Sequence, residues 1–168
     1  MDCNKIVIRP AQKADFPFIL RVNEENVEVL SPMDTAMLEY FSKCTEMLYV
    51  ALVDNTLAAF LIVLREGVDS YGSENYRWFS KNYEKFLYID RIVIDEPFRR
   101  IGLGKRLYNE VFAHGKKTGV PYVTAEIDTI PYNETSLGFH KAMGFREVGE
   151  QIIRDGTIKV SLQEAEVK

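Results

Sequence analysis

The sequence predicts an α/β fold built on one mixed, mostly antiparallel β-sheet with about four flanking helices. Two pairs of β-rich segments are each joined by a tight turn, at residues 54–56 and 154–156, and such hairpins require antiparallel pairing. Between the hairpins, a strand, a helix and a second strand follow one another, which requires a parallel pair. Both kinds of pairing in one chain predict a mixed sheet.

The first half of the chain predicts a strand, two helices and a hairpin. Pro10 ends the first strand, and Asp15 stands near the start of the first helix. In the second helix, Met37, Leu38 and Phe41 fall on one face. The expected bounds are residues 5–9 for the strand, 14–26 and 35–43 for the helices, and 47–53 and 57–64 for the hairpin strands.

The second half contains the clearest helix of the chain. Leu103, Leu107 and Val111 recur at helical spacing, and Gly119 followed by Pro121 ends the segment. The expected bounds are a strand over residues 86–94, a helix over 102–117, a strand over 122–127, a helix over 133–143, and a final hairpin over 145–153 and 157–162.

The composition favours one folded domain over residues 1–168, since 46% of the residues are hydrophobic. The net charge of −4 argues against a nucleic-acid partner, and no apolar run reaches the roughly 20 residues of a membrane span. Residues 1–5 do not begin a signal peptide, and Cys3 and Cys44 show no metal-ligand spacing. We therefore expect a cytoplasmic protein with reduced thiols, no metal and no membrane partner.

The most informative stretch is residues 94–105, where a strand passes through a Gly-x-Gly turn into a helix. Gly102 and Gly104 let the backbone approach a ligand closely, and N–H groups at a helix start can bind a phosphate. Arg99 and Arg100 add positive charge to the turn. A plain strand-to-helix corner is the alternative. A nucleotide-binding P-loop is excluded, because arginines occupy the positions of its first glycine and of its Ser/Thr.

Two signatures in this region carry a family resemblance. Arg99, Gly102 and Gly104, spaced Arg-x-x-Gly-x-Gly after a strand, resemble the acyl-CoA signature of the GNAT superfamily of N-acyltransferases. Residues 133–145, which end in a Gly-Phe pair, resemble that family's second signature. The resemblance is clear over residues 88–148 and implies a single-domain GNAT-like fold, in which the parallel strands 86–94 and 122–127 splay apart to admit the pantetheine arm.

The resemblance also implies acetyl-CoA as the cosubstrate. Strand main chain would pair with the pantetheine arm, and amides of the glycine turn would hold the diphosphate. Asn133 either caps its helix or holds the CoA arm through its amide. The implied cofactor-binding residues are Ile92, Val93, Ile94, Arg99, Arg100, Ile101, Gly102, Leu103, Gly104, Lys105, Asn133 and Phe139.

Asp90, Glu126 and His140 are the candidate catalytic residues. Asp90 interrupts an apolar strand and Glu126, like Asp128, lies near the end of the next one, where a carboxylate can deprotonate an amine. A structural ion pair is the alternative for both, and for Asp90 this is a salt bridge with Arg91 or another residue at a solvated edge. The resemblance places His140 where the family often has a tyrosine that protonates the CoA sulfur. A purely structural histidine is the alternative.

We therefore expect an N-acetyltransferase in which a primary amine attacks acetyl-CoA directly in a ternary complex. No cysteine lies near the signatures, which argues against a covalent acyl-enzyme. A non-catalytic acyl-CoA-binding regulatory module is the alternative. The acceptor is expected to be a small-molecule or peptide amine, and the final hairpin is a possible homodimer contact.

Residues 66–84 form a polar stretch with several aromatic side chains between two predicted strands. Because the stretch is too long for an ordinary connection, we expect a functional loop. It either lines the acceptor pocket as an aromatic wall or packs on the core as a lid.

Overall fold

The computed structural model describes residues 3–168 and confirms the α/β fold with a mixed sheet. Residues 1–5 were expected not to begin a signal peptide. The first two of them, Met1 and Asp2, lie outside the described residues. Short 3₁₀ helices cover Lys13–Asp15 and Glu96–Phe98. The seven strands and five α-helices found within residues 3–168 are β1 (Ile6–Pro10), α1 (Phe16–Glu24), α2 (Thr35–Cys44), β2 (Met47–Val53), β3 (Thr56–Arg65), α3 (Glu74–Asn82), β4 (Leu87–Ile94), α4 (Leu103–Thr118), β5 (Tyr122–Ile130), α5 (Glu134–Ala142), β6 (Arg146–Ile153) and β7 (Ile158–Glu166).

The strands form one seven-stranded sheet in the order β1-β2-β3-β4-β5-β7-β6. Strands β4 and β5 pair in parallel, with Leu87 opposite Val123 and Tyr88 opposite Thr124. Antiparallel pairs join β1 to β2, β2 to β3, β5 to β7, and β6 to β7. Both predicted hairpins and the predicted parallel pair are therefore confirmed.

The expectation of a loop over residues 66–84 is wrong, because about half of this stretch forms helix α3. The Ser73 hydroxyl caps the helix by accepting the Tyr76 N–H at 3.2 Å. Tyr76 and Phe79 occupy one helix face and are buried. These two side chains therefore pack in the core, while an acceptor-pocket wall and a lid both stay predictions.

Two compact units can be recognised in the chain. The first contains the described residues up to Leu64 and the segment Asp90–Glu110, and its fully buried side chains include Ile19, Leu38, Phe41 and Phe60. The second contains Arg65–Ile89 and Val111–Lys168, with Phe79, Phe86, Tyr88, Val123 and Leu162 fully buried. Each unit thus has a core of its own, and one domain over residues 1–168 stays a prediction. Across the described residues, 3 to 168, no helix is both long and apolar enough for a bilayer crossing.

Candidate active site

The turn after β4 lies in the first unit and is fixed by Asp95 at its start. The Asp95 N–H donates to the Ala58 carbonyl at 2.8 Å, which holds the end of β4 against β3. One carboxylate oxygen of Asp95 accepts the Glu96 N–H at 3.0 Å, and the other accepts from Arg21, also at 3.0 Å. The route of the chain from β4 into the turn is therefore set by hydrogen bonds on both the main chain and the side chain.

The turn then reaches the start of α4 through two residues with left-handed backbone angles. Arg100 has a φ of 66° and Gly102 a φ of 83°. Glycine adopts the second angle without steric cost, which explains the residue type at this position. Leu103, the first residue of α4, is buried and anchors the helix start. The first N–H groups of α4 have no acceptor within the helix, so they are directed at the turn.

Basic side chains surround this helix start. Arg99, Arg100, Lys105 and Arg106 are all exposed and lie within the turn or the first turn of α4. Helix N–H groups, the helix dipole and four cations together create a local positive potential in a chain of net charge −4. This is an environment suited to a polyanionic ligand such as a diphosphate.

Arg99 also has a structural role in the turn. Its Nε donates to the Ile94 carbonyl at 3.1 Å, and its Nη2 donates to Asn26 Oδ1 at 3.2 Å. The guanidinium therefore bridges the end of β4 and the segment that follows α1. One of the three main-chain positions assigned to the pantetheine arm, Ile94, thus already accepts a hydrogen bond, although a carbonyl oxygen has a second lone pair. Ile92 and Ile94 are half-buried and Val93 is buried, as expected for one strand.

Asp90 forms a buried ion pair with its neighbour Arg91. Asp90 Oδ2 accepts from Arg91 Nε at 2.8 Å, and each of the two side chains is only 4% exposed. The Arg91 guanidinium also donates to Asn23 Oδ1 at 3.0 Å and to the Ser31 carbonyl at 3.1 Å. The expected partner is correct, but the solvated edge is wrong. Because the carboxylate compensates a buried guanidinium, Asp90 has a clear structural function.

Cys44 lies at the end of α2, in the first unit. Its thiol lies close enough to Asp90 for the carboxylate charge to act on it. Burial, and to a smaller extent the charge of Asp90, raises the pKa of this thiol. A thiol with a raised pKa is a poor nucleophile at neutral pH, so the chemical argument against a covalent acyl-enzyme still holds.

Glu126 lies on β5 in the second unit and accepts a hydrogen bond from Tyr88. The Tyr88 hydroxyl donates to Glu126 Oε1 at 2.8 Å, and Glu126 Oε2 is removed from solvent. Asp128 follows two residues later on the same face and is half-buried. Burial raises the pKa of Asp128, and the positive charge of Arg154 opposes this effect. Sequence reasoning missed Tyr88, which it treated only as part of a strand.

His140 and Asn133 lie on α5, also in the second unit. Asn133 Oδ1 accepts the Ser136 N–H at 3.1 Å, so the side chain caps the helix. The His140 ring is buried between Phe139 and Phe145, which both meet it edge to face. Its Nδ1 lies 2.7 Å from the Ser136 carbonyl, to which it donates.

The surroundings of His140 favour a neutral ring. Burial lowers the pKa of His140, and the hydrogen bond to the Ser136 carbonyl only partly opposes this effect. A neutral ring that donates through Nδ1 carries its lone pair on Nε2, which can accept a proton but has none to give. The proton-donor role implied by the resemblance therefore fits the structure poorly.

A known protein family matches most of this chain. The chain matches the acetyltransferase (GNAT) family over residues 11–145. A search of curated protein sequences finds no match.

Solved structures agree with this family match. A putative phosphinothricin N-acetyltransferase is 25% identical with a TM-score of 0.71, over 98% of this chain and 99% of that one. Arabidopsis thaliana NAA60 in complex with acetyl-CoA is 18% identical with a TM-score of 0.74, over 97% and 100%. The ribosomal-protein-S18-alanine N-acetyltransferase from Escherichia coli is 15% identical with a TM-score of 0.69, over 98% and 95%.

Proposed function

The chain belongs to the acetyltransferase (GNAT) family and is an acetyl-CoA-dependent acetyltransferase, and we propose that it acetylates a primary amine by direct attack in a ternary complex. The observation that carries this proposal is the turn at the start of α4, where exposed cations surround the N–H groups of the first helical turn, which have no acceptor within the helix. We assign the diphosphate of acetyl-CoA to this turn.

The energetics of the turn are adequate for this role. A micromolar ligand needs about 8 kcal/mol of binding free energy. The helix dipole supplies only about 0.3–2 kcal/mol. Hydrogen bonds to a charged group contribute about 1.5–3 kcal/mol each, so the amides together with Arg100 and Lys105 supply most of the affinity for the charged diphosphate.

The chemical step requires a base, because a lysine-like amine with a pKa of about 10.4 is almost entirely protonated at pH 7. Producing the neutral amine costs about 4–5 kcal/mol at that pH. We assign this deprotonation to Glu126. Asp128 is the second carboxylate of the same face, and Asp90 is assigned to the structure because of its ion pair with Arg91.

The remaining steps follow from the chemistry of a thioester. The neutral amine nitrogen attacks the carbonyl carbon, a C–N bond forms, and the C–S bond then breaks to release CoA as a thiolate. The thiolate takes up a proton, and the amide nitrogen loses one. A thiol with a pKa of about 8.5 needs little help in leaving, so His140 is not required as the donor.

The acceptor class is open between small amines and peptide N-termini. The similarity to a putative phosphinothricin N-acetyltransferase supports an amino-acid-like acceptor, and the similarity to a ribosomal-protein-S18-alanine N-acetyltransferase supports a peptide N-terminus. The panel that tests the proposal therefore includes free amino acids, polyamines, aminoglycosides, peptides and lysine.

The test follows free-thiol release from acetyl-CoA with each amine of the panel. We expect turnover with at least one amine, and Glu126→Gln should lower kcat/KM by about 10²–10⁴-fold, because the base is lost. Glu150→Gln, which removes an exposed carboxylate paired with Lys159, is the matched control and should retain activity. Acetyl-CoA binding without turnover of any amine would contradict the proposal and support the regulatory module.

A further inference from the structure

We propose that Tyr88 is a positioning residue of this acetyltransferase, whose hydroxyl orients the Glu126 carboxylate toward the amine and keeps it ionised. This inference rests on the proposed function, in which Glu126 is the base. Its starting observation is the 2.8 Å hydrogen bond from the Tyr88 hydroxyl to Glu126 Oε1. A hydrogen-bond donor held in place at one carboxylate oxygen fixes the orientation of the carboxylate group. It therefore determines the direction in which the other oxygen points.

The backbone of the sheet sets the geometry of this pair. Tyr88 on β4 stands opposite Thr124 on β5 in the parallel register. Glu126 follows Thr124 by two residues and therefore projects from the same sheet face. The tyrosine ring extends along this face to the carboxylate, so that strand pairing and ring length together fix the hydroxyl position.

Helix α3 prevents the Tyr88 ring from moving. The rings of Tyr76 and Tyr88 meet edge to face at 5.4 Å between centroids, and Phe79 lies at 5.8 Å. Tyr76 is itself fixed, because its hydroxyl donates to the Arg65 carbonyl at 2.6 Å and accepts the Val68 N–H at 3.0 Å. Tyr88 is fully buried among these rings. The aromatic side chains of α3 thus hold the Tyr88 ring in place, and with it the hydroxyl that binds Glu126.

The charges around Glu126 in this unit define its electrostatic setting. Asp128 lies on the same strand and face, with the positive charge of Arg154 near it. On β7, Leu162 stands opposite Glu126, and the next residue on that face is Glu164. Glu164 accepts from Arg146 at 3.0 and 2.6 Å, so its charge is compensated. Within this unit, the Tyr88 hydroxyl therefore acts on Glu126 with the Asp128 carboxylate on the same face.

The same sheet face contains a matched control. The Tyr83 hydroxyl donates to Glu164 Oε2 at 2.6 Å, which is again a tyrosine bound to a glutamate. Because Glu164 also holds Arg146, that pair forms part of an ion-pair network rather than of the proposed site. Tyr83→Phe removes the same kind of hydrogen bond as Tyr88→Phe.

The first test compares the pH dependence of kcat/KM in four variants and the unmodified protein. In the plot of kcat/KM against pH, activity falls on the acidic side as the base becomes protonated, and this part of the curve is the acidic limb. Tyr88→Phe should shift the acidic limb to higher pH by about one unit, because a hydrogen bond to the charged carboxylate is lost. It should also lower kcat about tenfold while leaving the KM for acetyl-CoA unchanged. Tyr83→Phe should leave the limb in place. In a Glu126→Gln background, Tyr88→Phe should have no further effect, because the group it positions is gone.

Two results would overturn the inference. One is an acidic limb that Tyr88→Phe leaves in place or moves no further than Tyr83→Phe does. The other is an equal loss of activity from Tyr88→Phe whether or not Glu126 is present.

A second readout needs no activity and separates this inference from the proposed function. Carboxyl ¹³C NMR titration, with the Glu126 signal assigned by Glu126→Gln, follows the ionisation of this one group. A higher midpoint in Tyr88→Phe, but not in Tyr83→Phe, supports the link even if no amine is acetylated. In that event only the proposed function fails. An unchanged midpoint overturns the inference whatever the activity.

Discussion

His140 lies on α5 with its ring enclosed by Phe139 and Phe145 and with Nδ1 bound to the Ser136 carbonyl. The family resemblance identified the position, but it could not indicate how deeply the ring is buried. Burial disfavours the charged form of the ring, and Nδ1 is already a hydrogen-bond donor to the Ser136 carbonyl. The imidazole is therefore neutral at physiological pH. The resemblance therefore implied a proton donor at a position where burial favours the neutral ring.

This environment predicts a pH-dependent stability. The pKa of His140 is lower in the folded protein than the unfolded value of about 6.5, so the unfolded chain binds more protons around that pH. The contribution is complete above pH 6.5 and is lost progressively as the pH falls from 6.5 to the lower pKa of the folded protein. Between pH 7.5 and 5.5, the unmodified protein should lose up to about 1 kcal/mol more free energy of unfolding than His140→Gln does.

Urea unfolding at both pH values measures this difference. His114→Gln is the control, since His114 is the other of the two histidines of the sequence. It should retain the pH dependence of the unmodified protein. An equal loss of stability in the protein with and without His140 would contradict the buried, neutral ring.

Asp90 shows a second limit of sequence reasoning at this scale. Its partner, Arg91, is adjacent in the chain and was expected. Asn23 and Ser31, which accept hydrogen bonds from Arg91, are 68 and 60 residues away from it in sequence. A local sequence pattern cannot show contacts between residues so far apart in the chain. For this reason the Asp90–Arg91 pair was expected at an exposed edge. The turn at Gly102, by contrast, depends on local backbone angles and was predictable.

Among the elements, β2 has the predicted bounds, and most other strands and helices lie within a few residues of expectation. Helix α3 was missed for a physical reason. Its buried positions are few, mainly Tyr76 and Phe79, and polar residues surround them, so the apolar periodicity is weak. Ser73 was an available signal, because a serine before an acidic residue often marks the start of a helix.

The packing of α3 on the sheet predicts a mutation effect. A Cβ atom on Gly149 of β6 would lie 2.6 Å from Cζ2 of Trp78, well inside van der Waals contact. Gly149→Ala should therefore lower the free energy of unfolding by about 1–3 kcal/mol. Gly138→Ala on α5 is the matched control, because a Cβ there meets nothing within 4 Å, and it should be neutral or stabilising.

Chemical denaturation of both variants and of Gly149→Ala combined with Trp78→Leu checks this explanation. The smaller side chain should restore part of the lost stability, because it removes the atom that the new Cβ meets. A Gly149→Ala protein as stable as the Gly138→Ala protein would show that α3 does not rest on β6 in this way.

For the whole molecule, charge distribution matters more than net charge. The chain carries a net charge of −4, which by itself disfavours an anionic ligand such as acetyl-CoA. Exposed Arg100, Lys105 and Arg106 near the start of α4 reverse this balance locally. The net charge argued against a nucleic-acid partner but gave no indication of the proposed anion site, which the Gly-x-Gly spacing suggested.

The central claim, that the turn before α4 binds the diphosphate of acetyl-CoA, is tested most directly by calorimetric titration with two ligands. The protein and an Arg100→Glu/Lys105→Glu variant are each titrated with acetyl-CoA and with S-acetylpantetheine, which lacks the diphosphate. Lys116→Glu/Lys117→Glu makes the same charge change in the last turn of α4 and is the control.

We predict that Arg100→Glu/Lys105→Glu weakens acetyl-CoA binding by at least about 30-fold, because two charge-assisted contacts are lost. The same variant should leave S-acetylpantetheine binding unchanged, and the control should bind both ligands as the unmodified protein does. Equal acetyl-CoA affinity in the variant and the unmodified protein would contradict the claim.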